Sequence, residues 1–496
     1  MAVEPKLVFR EPLGDKYPEI AKASDEIVRC IKCGLCRAVC PTLLETLGES
    51  QGARGRVSLV EAVLDGRLSL SDIFEDRIST CINCKACVDA CPSGVRVDDI
   101  ILRARAELVS RGRFPFVKRL IIRGLLKRGR LLPPVGKLAS MIQRALLKLS
   151  PEGSALKLIL PAVRVKKERH LPVFARKSFR EGVPARVAPD ARAHATQVGA
   201  PLLKAAYFVG CSCNLIYTSV AVSTVDVLTM LGVEVSIPRD QGCCGTPVFN
   251  AGDFATARDL ALKNMEAFRK VGVDAIVVSC ASCGLALRRE YSKLLGLDTS
   301  GFSEKVMDVS EFIVRKVGLE KLGEAIERAR AATEDEDGVW KVRCASKEVG
   351  ITAEGANGNA GGPGGTAEGA GGVVVTYHDP CHLARGQGVR DEPRRVIAEI
   401  PGVVLREMEE PDRCCGGGGL YSFTQYDMSR AIVSHKVEAI RKTGAQLVLT
   451  SCPGCIMQLQ DALLQAGVEI RVMHVAELLG TALRGWSLPR AARAVV

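Results

Sequence analysis

Short apolar runs alternate with segments of helical periodicity from residue 203 onward, and the same order occurs twice. The first copy contains AAYFVG, VEVSIP, DAIVVSC and KVMDVSEF, with helical spacing over 219–231 and 255–271. The second copy contains VVVTYHDPC, VVLREM, QLVLTSC and IRVMHVAELL, with helical spacing over 393–400 and 427–443. Strands that alternate with helices predict parallel sheets. The repetition of the order indicates an internal duplication.

The first hundred residues contain few strand-like runs, so we predict a mostly helical module there. Two groups of apolar residues keep helical spacing: Val57, Val60 and Leu64, and then Ile73, Phe74 and Ile78.

A basic connector links the two patterns over residues 102–200. Between Leu102 and Arg180 there are 21 Lys plus Arg and 3 acidic residues, a local charge of +18, whereas the whole chain carries +12. One segment therefore carries the whole positive balance. The connector also holds an apolar stripe with helical spacing, formed by Leu138, Met141, Ile142, Ala145, Leu146 and Leu149.

Three interpretations of this stripe are open. Packing on the protein's own domains is the one we favour, since soluble proteins use such stripes mostly for packing. An anionic membrane surface is the second, because it attracts cations on the polar face of an amphipathic helix. Nucleic-acid binding is the third, and the scarcity of interleaved aromatic residues disfavours it.

The composition, 47% hydrophobic and 25% charged over 496 residues, is that of a soluble globular protein. No apolar run reaches the roughly 18 residues of a membrane span, and residues 1–15 lack the apolar stretch of a secretory signal. We therefore expect a cytoplasmic, reducing location, with peripheral association on the inner face of the membrane as a further option. In such a compartment clustered cysteines are metal ligands more often than disulfides.

Eighteen of the 20 cysteines fall into four ordered groups. Two groups share the spacing C-x2-C-x2-C-x3-C-P: Cys30, Cys33, Cys36 and Cys40, then Cys81, Cys84, Cys87 and Cys91. The other two groups are five-cysteine sets: Cys211, Cys243, Cys244, Cys280 and Cys283, then Cys381, Cys414, Cys415, Cys452 and Cys455. Thiolates at this density indicate iron–sulfur clusters and a role in electron transfer.

The first two groups predict two cubane [4Fe–4S] clusters. In two-cluster ferredoxins the fourth cysteine, which precedes proline, ligates the other cluster. We therefore assign Cys30, Cys33, Cys36 and Cys91 to one cluster, and Cys81, Cys84, Cys87 and Cys40 to the other. A zinc site is the alternative, but zinc modules favour paired C-x2-C knuckles separated by a longer loop. Disulfide pairing gives no reason for the same spacing to occur twice.

Each five-cysteine set contains a CCG run, at Cys243–Gly245 and at Cys414–Gly416. Adjacent cysteines cannot face the same way on a regular strand, so these runs must lie in irregular loops. The following glycines permit left-handed backbone and close approach to a cluster. Because each group follows a predicted strand, we expect the ligands at the carboxyl edge of a parallel sheet.

The spacing of Cys, CCG and C-x-x-C resembles the duplicated cysteine-rich domain of heterodisulfide reductases and of glycolate oxidase and D-lactate dehydrogenase iron–sulfur subunits. In the reductases that domain binds a non-cubane cluster with five cysteines, so the resemblance implies one or two further clusters here. CIKCGLCRAVCPT with ARGRV downstream, CINCKACVDACPSGV, YHDPCHLARGQGVRDEPRRVI and YSFTQYDMSRAIVSHKV resemble the 2-hydroxyacid branch. The complete CPGC at 452–455 resembles the heterodisulfide reductase D type instead.

These observations predict a multidomain α+β fold, with an N-terminal helical two-cluster module and a duplicated α/β CCG domain. Residues 355–372 contain nine glycines in 18 positions and predict a flexible insert between the copies. The predicted boundaries are a ferredoxin-type domain over 1–110, a basic connector over 111–200, a first CCG domain over 201–330, a Gly-rich insert over 331–372 and a second CCG domain over 373–485.

Four further residues carry candidate chemistry. Cys213 is predicted to be a small buried residue; the alternative is that it serves as an additional cluster ligand. Cys344 is predicted to be unliganded. His378 and His382 flank Cys381. One interpretation is that both histidines donate hydrogen bonds to cluster sulfurs or shuttle protons. The interpretation that we favour is that they form structural hydrogen bonds at a strand-to-helix turn.

No G-x-G-x-x-G follows a strand, and neither G-x-x-x-x-G-K-[ST] nor G-x-S-x-G occurs. We therefore expect no flavin or NAD on this chain, and no catalytic residue is assigned. The resemblance implies the iron–sulfur subunit of a flavin-linked glycolate or D-lactate dehydrogenase, an oxidoreductase with an FAD-binding partner subunit. A membrane quinone or cytochrome is the expected acceptor, and no nucleic acid is expected. The alternatives are a disulfide-reducing subunit with catalytic CCG clusters, and a zinc-binding scaffold, which visible cluster colour would refute.

Overall fold

The computed structural model describes residues 16–149, 169–170, 172–190, 202–331, 339–344, 347–352 and 372–484. It divides into two compact units, one formed by Met1–Arg119 with Pro247–Thr256, the other by Leu120–Thr246 with Ala257–Val496. The predicted domain boundaries stay predictions. Within the predicted Gly-rich insert over 331–372, the structure describes residues 331, 339–344, 347–352 and 372, so the glycine-rich stretch 355–371 lies outside the described residues.

The first unit is helical where it is described, up to residue 119. Its helices are Pro18–Ala21, Ser24–Val28, Leu35–Ala38, Pro41–Thr46, Glu49–Gln51, Ala53–Leu64, Asp72–Ser79, Ala86–Asp89, Val97–Ser110 and Phe116–Arg119. Val57, Val60 and Leu64 are buried in one apolar core together with Phe74 and Ile78.

The prediction that Ile73 belongs to the apolar face is wrong, because this residue is 70% exposed. In the helix Asp72–Ser79, Phe74 and Ile78 lie four residues apart and share the buried face. Ile73 precedes Phe74 by one position and therefore points about 100° away from that face.

The second unit contains both copies of the repeated pattern. Its strands are β1 Arg186–Val187, β2 Lys204–Phe208, β3 Glu234–Ser236, β4 Ala275–Val278, β5 Val306–Asp308, β6 Val339–Cys344, β7 Lys347–Thr352, β8 Val373–His378, β9 Val403–Leu405, β10 Leu447–Thr450 and β11 Arg471–His474. The first sheet has the order β1-β3-β2-β4-β5 and the second β9-β8-β10-β11, read in the matching direction.

The two sheets share one topology. All neighbours from β3 to β5 and from β9 to β11 are parallel, and β1 adds an antiparallel edge strand from the connector. The equivalent strands are therefore β2 and β8, β3 and β9, β4 and β10, β5 and β11. The predicted fold class, helical module followed by a duplicated α/β domain, is confirmed.

Helices connect these strands in the order that the apolar spacing predicts. The longer ones are Leu132–Leu149, Thr218–Met230, Phe254–Arg269, Leu319–Ala331, Asp391–Ala398, Tyr426–Thr443, Pro453–Gln465 and Val475–Leu483. The shorter ones are Leu120–Leu126, Gly129–Leu131, Phe179–Gly182, Gly210–Leu215, Thr246–Asn250, Ala281–Leu285, Ala286–Glu290, Tyr291–Lys293, Ser303–Lys305, Val309–Phe312, Ile313–Val317, Cys381–Gln387 and Tyr421–Thr424.

A single apolar core runs through both copies of the repeat, and it includes Tyr207 and Val277 of the first sheet with Tyr377 and Leu449 of the second. The helix Val475–Leu483 packs against the helix Thr218–Met230 of the other copy. Since apolar burial is the main stabilising contribution to folding, the two copies stabilise each other.

Candidate iron–sulfur sites

Two cavities of similar size lie in the helical unit, and each is lined by four cysteines of the predicted cluster sets. One is lined by Cys40 together with Cys81, Cys84 and Cys87. The other is lined by Cys30, Cys33, Cys36 and Cys91, and Cys87 lines it as well. The fourth cysteine of each motif thus lies in the cavity of the other motif.

Left-handed backbone at matching positions shapes both cysteine loops. Lys32 and Gly34 have φ values of 57° and 90°, and Asn83 and Lys85 have 58° and 61°. These residues lie between the first three cysteines of each motif, where they turn the chain around the cavity. The short helices Leu35–Ala38 and Ala86–Asp89 then begin.

Two of the thiols in these cavities resist ionisation. Burial, followed by the nearby Cys30 thiol, raises the pKa of Cys36. Burial, followed by Cys84 and Cys81, raises the pKa of Cys87 well above its usual value. A metal cluster removes this penalty because it binds the thiolates directly. Four thiols around each enclosed cavity therefore fit a cubane cluster.

The ARGRV segment supports the first cysteine loop. The backbone of Arg54 donates to the Cys36 thiol, and the Arg54 side chain donates to Glu49 over 2.8 Å. A Cβ atom on Gly55 would lie 2.0 Å from the Glu49 carbonyl oxygen, so only glycine fits there. Arg56 is buried and donates to the Arg77 carbonyl over 2.7 Å and to two threonine hydroxyls.

The second loop is supported by charged and amide side chains that sequence reasoning missed. Arg105 donates to the carbonyl oxygens of Ile78 and of Cys81, which is the first cysteine of the motif. Lys85 pairs with the buried Asp98. Burial opposes ionisation of Asp98, but the charges of Lys85 and Arg96 outweigh it and hold its pKa well below the usual range.

The first CCG set gathers at the carboxyl edge of the first sheet. Cys211 follows β2, Cys243 and Cys244 follow β3, and Cys280 and Cys283 follow β4. Thiol contacts join Cys211 to Cys243, Cys243 to Cys244, Cys244 to Cys283 and Cys283 to Cys280. All five predicted ligands of this set therefore lie together.

Proton sharing divides these thiols into donors and acceptors. Contact with Cys211 raises the pKa of the Cys243 thiol well above its usual value, and the same contact lowers the pKa of Cys211. Contact with Cys243 lowers the pKa of Cys244 well below its usual value. A thiolate is stabilised by a neighbouring donor, so these contacts favour ionisation of Cys211 and Cys244 and oppose that of Cys243.

The second CCG set occupies the equivalent edge of the second sheet. Cys381 follows β8 and is half-buried, whereas the CCG cysteines after β9 and the C-x-x-C cysteines after β10 are buried. Thiol contacts join Cys415 to Cys455 and Cys455 to Cys452. Gly416 has φ of 76°, and a Cβ atom there would lie 2.6 Å from the Ser429 carbonyl. The glycine after the cysteine pair is therefore required by the backbone.

The two CCG sets meet at their C-x-x-C pairs. The thiol of Cys280, from the first set, contacts the thiol of Cys452, from the second. Beside them the Ala281 amide donates to the Ser451 carbonyl over 3.3 Å. A continuous series of thiol contacts therefore runs from Cys211 to Cys415.

Known families match these regions. A cysteine-rich domain family, CCG, matches residues 205–288 and 375–460. A 4Fe-4S dicluster domain family matches residues 26–95. The chain therefore contains two segments similar to CCG domains and one similar to a 4Fe-4S dicluster domain. The CCG matches contain the two five-cysteine sets, and the dicluster match contains both C-x2-C-x2-C-x3-C-P motifs.

Curated relatives of this chain belong to the two branches that the resemblance names. The chain is 27% identical to a probable glycolate oxidase iron-sulfur subunit of Bacillus subtilis, over 92% of this chain and 93% of that protein. It is 25% identical to the D-type polypeptide of the dihydromethanophenazine:CoB–CoM heterodisulfide reductase of Methanosarcina mazei, over 92% and 94%. It is 26% identical to lactate utilization protein A of Bacillus subtilis, over 56% of this chain and all of that protein. The predicted family resemblance is confirmed.

A lysine beside the second set also escaped sequence reasoning. Lys436 is buried, and its Nζ donates to the carbonyl oxygens of Glu410 and Pro411. Burial lowers its pKa to about 8, and the nearby Cys415 opposes that shift. The ammonium group is thus a buried positive charge next to thiols that bind metal as anions. Its position within SHKV gave no periodic signal that separates it from a surface lysine.

The two histidines beside Cys381 have different surroundings. His382 Nδ1 lies 3.0 Å from Ser282 Oγ, so His382 has a structural hydrogen-bond partner. His378 ends β8 and is 1% exposed, and neither of its ring nitrogens makes a hydrogen bond of normal geometry within the described chain. Its polar neighbour is instead the Cys415 thiol of the second set. The structural interpretation therefore fits His382 but not His378.

Two cysteines are not among the predicted ligands. Cys213 is buried in the apolar core, and its Sγ lies 3.9 Å from Ser279 Oγ. Burial raises the pKa of the Cys213 thiol, as expected for an inert core cysteine. Cys344 lies in β6.

The connector helix Leu132–Leu149 packs through a face that the apolar stripe does not predict. Ser140 and Gln143 are buried, and they bond to the backbone of Phe174 at 2.8 and 2.9 Å. Leu138 and Met141 are 57% and 70% exposed. Our preferred interpretation of the stripe is therefore wrong for these residues, because polar side chains with backbone partners occupy the buried face. In the described part of the chain, no helix has the length and apolar character needed to cross a membrane.

Proposed function

We propose that this protein is the iron–sulfur electron-transfer subunit of a flavin-linked 2-hydroxyacid dehydrogenase acting on glycolate or D-lactate. It would pass electrons from the flavin of an FAD-binding partner subunit toward a quinone-level acceptor. The observation that carries the proposal is the gathering of cysteines into two thiol-lined cavities, together with a continuous series of contacts among eight of the ten CCG thiols, from Cys211 to Cys415. Similarity to a glycolate oxidase iron-sulfur subunit over 92% of the chain supports the substrate class.

The proposed ligands follow the crossed arrangement of the cavities. Cys30, Cys33, Cys36 and Cys91 would hold one [4Fe–4S] cluster, and Cys81, Cys84, Cys87 and Cys40 the other. The two CCG sets would hold one or two further clusters, of the non-cubane type by resemblance. Bound iron–sulfur clusters supply one-electron transfer over a wide range of potentials. The protein's part is to gather the thiolates, exclude water and place positive charges such as Lys436 beside them.

The exposed face of the connector helix supports a membrane-side acceptor. Val135, Leu138 and Met141 are exposed on the helix Leu132–Leu149, which also carries Lys137 and Arg144. Apolar side chains flanked by cations match the chemistry of an anionic bilayer surface, where each Lys or Arg contributes about 1 kcal/mol. We propose that this face rests on the inner leaflet, where a quinone or cytochrome accepts electrons.

A second candidate function is reduction of a disulfide substrate, as in the heterodisulfide reductases that the chain resembles. The contact between Cys280 and Cys452 favours it, because it brings the two CCG sets side by side. A disulfide bound between them would reach both centres. The complete set of ten CCG cysteines also agrees with this alternative.

Anaerobic titration of the native complex separates the two functions. Under the first proposal, glycolate or D-lactate bleaches the visible cluster absorbance, because the partner's flavin delivers electrons to these clusters. If neither acid bleaches the clusters and a heterodisulfide reoxidises dithionite-reduced protein, the second function replaces the first. Reduction by a hydroxyacid combined with no response to the disulfide supports the first alone.

A further inference from the structure

The two CCG sites share a tyrosine–serine pair next to the thiols. Tyr207 Oη lies 2.5 Å from Ser279 Oγ, and Tyr377 Oη lies 3.1 Å from Ser451 Oγ. Each serine directly precedes a C-x-x-C pair, so the two tyrosines are equivalent residues of the repeat. The next residue in each strand is therefore also equivalent, and it is Phe208 in the first copy.

In the second copy this position is His378, which ends β8. Its imidazole is 1% exposed, and its two ring nitrogens lack a hydrogen bond of normal geometry in the described residues. Leaving such a polar group unpaired in the interior costs about 1–3 kcal/mol. Phenylalanine at the equivalent place shows that the fold itself tolerates an apolar ring there. The histidine therefore calls for a partner other than a hydrogen bond of normal geometry, and its polar neighbour is the Cys415 thiol.

The nearest candidate for that partner lies among the thiols of the second site. The ligand atoms of His378, Cys415 and Cys455 all lie within 4.8 Å of one another. Two donors on one tetrahedral metal lie about 3.5 Å apart, given bond lengths of about 2.0 Å to nitrogen and 2.3 Å to sulfur. The three atoms are thus close enough to bind one iron after small side-chain adjustments. Imidazole is a normal ligand of iron.

We propose that His378 binds iron through a ring nitrogen at the second CCG centre, which makes this centre chemically different from the all-thiolate first centre. The proposal rests on the proposed function in one respect, that the second cysteine set holds iron. Neutral imidazole adds no negative charge to the cluster, and histidine ligation raises cluster potentials relative to cysteine ligation. The second centre would therefore hold an electron more readily than the first.

The test is pulsed EPR on the reduced full-length protein, reconstituted anaerobically with iron and sulfide. Protein grown with ¹⁵N-histidine is compared with unlabelled protein. We expect a strong nitrogen hyperfine coupling on the CCG signal that changes with the isotope, as a directly bound imidazole requires. A coupling that does not change with the isotope, or none beyond weak backbone couplings, overturns the proposal.

Variants assign the nitrogen to one residue. In His378→Phe, which copies the first site, the isotope-sensitive coupling should disappear and the potential of the second centre should fall. In His382→Gln, a matched control on the other side of Cys381, the coupling should remain. Persistence of the coupling in His378→Phe overturns the proposal. If His378→Phe fails to fold, Phe208→His supplies a converse test, since a second isotope-sensitive coupling should appear.

A different result would show that the proposed function is wrong. If the second set holds no iron, a variant in which all five of its cysteines are replaced will bind as much iron as the wild type. A nitrogen-free signal from a second site that does hold iron contradicts only the role of His378.

Discussion

The thiol of Cys280 contacts the thiol of Cys452, although the two residues lie in different copies of the repeat. Each is the first cysteine of its C-x-x-C pair. The two CCG centres are therefore neighbours, and unpaired electrons on them should interact strongly.

Reduction of both CCG centres should produce magnetically coupled EPR signals. The expected result is broadening or splitting that develops as the second centre becomes paramagnetic, together with faster spin relaxation. The measurement is an anaerobic redox titration followed by EPR at several microwave powers. Two signals that simply add, with unchanged line widths, would contradict the contact.

Double substitutions test the crossed ligation of the ferredoxin-type clusters. Cys40→Ala with Cys84→Ala should lose no more iron than either single change, because both thiols line one cavity. Cys40→Ala with Cys33→Ala should lose both clusters, because Cys33 lines the other cavity. Iron and sulfide content with EPR of the reduced protein provides the readout. The opposite pattern would show that each motif binds its own cluster.

Arg394 should stabilise the loop that carries Cys381. It donates to both carboxylate oxygens of the buried Asp379, at 3.0 and 2.8 Å, and its guanidinium lies over the Tyr377 ring. Arg394→Met leaves the carboxylate without this partner, and we expect a loss of about 3 kcal/mol in the free energy of unfolding. Anaerobic denaturant unfolding measures it. Arg395→Met, an exposed neighbour on the same helix, should change stability by less than about 0.5 kcal/mol.

Asp308 should make stability depend on pH. Burial raises its pKa to about 7, with Glu311 adding to the effect, and Tyr377 is a further nearby titratable group. Because the folded-state pKa exceeds the ordinary value of 3.8, the stabilising contribution is complete below pH 3.8 and is lost as pH rises to about 7.

Asp308→Asn should remove this dependence while keeping the side-chain oxygen that caps the Ser310 amide. Between pH 5.5 and 7.5 the wild type should lose about 2 kcal/mol that the variant keeps, from about 1.4 kcal/mol per pKa unit. Denaturant unfolding of both proteins at the two pH values measures the difference. If the free energy of unfolding changes equally with pH in both proteins, Asp308 titrates at its ordinary pKa.

The connector helix should bind anionic vesicles through its exposed apolar residues. Leu138→Ser with Met141→Ser should reduce co-sedimentation with phosphatidylglycerol vesicles at least tenfold, since two apolar side chains no longer insert. Leu262→Ser changes a similarly exposed leucine on another helix and should leave binding unchanged. Equal binding by the double variant and the wild type would remove the membrane from the proposed function.

Much of this architecture could be predicted because it is periodic or repeated. The strands before Cys211 and Cys381 follow from apolar runs, and the crossed cavities were expected from the two C-x2-C-x2-C-x3-C-P motifs. Apolar periodicity does not predict the buried face of a helix where polar side chains form buried hydrogen bonds. Ser140 and Gln143 bond to backbone across the chain, so Leu138 and Met141 of the apolar stripe face outward.

Contacts between residues distant in the sequence could not be predicted in the same way. The position of Lys436 beside Cys415 depends on tertiary packing, and a lone lysine in a helix gives no signal of burial. The difference between His378 and His382 also appears only in three dimensions, since both flank the same cysteine. The repeat itself supplied the comparison with Phe208 that sets His378 apart.

The apolar core shared by the two CCG copies also bears on how the protein folds. Neither copy has a complete interior, because helices such as Val475–Leu483 bury their apolar face against the other copy. The pair should unfold in one cooperative transition, and a cut in the chain between the copies should leave two fragments that still reassociate. The two CCG copies therefore behave like the two subunits of a dimer that are joined in one chain.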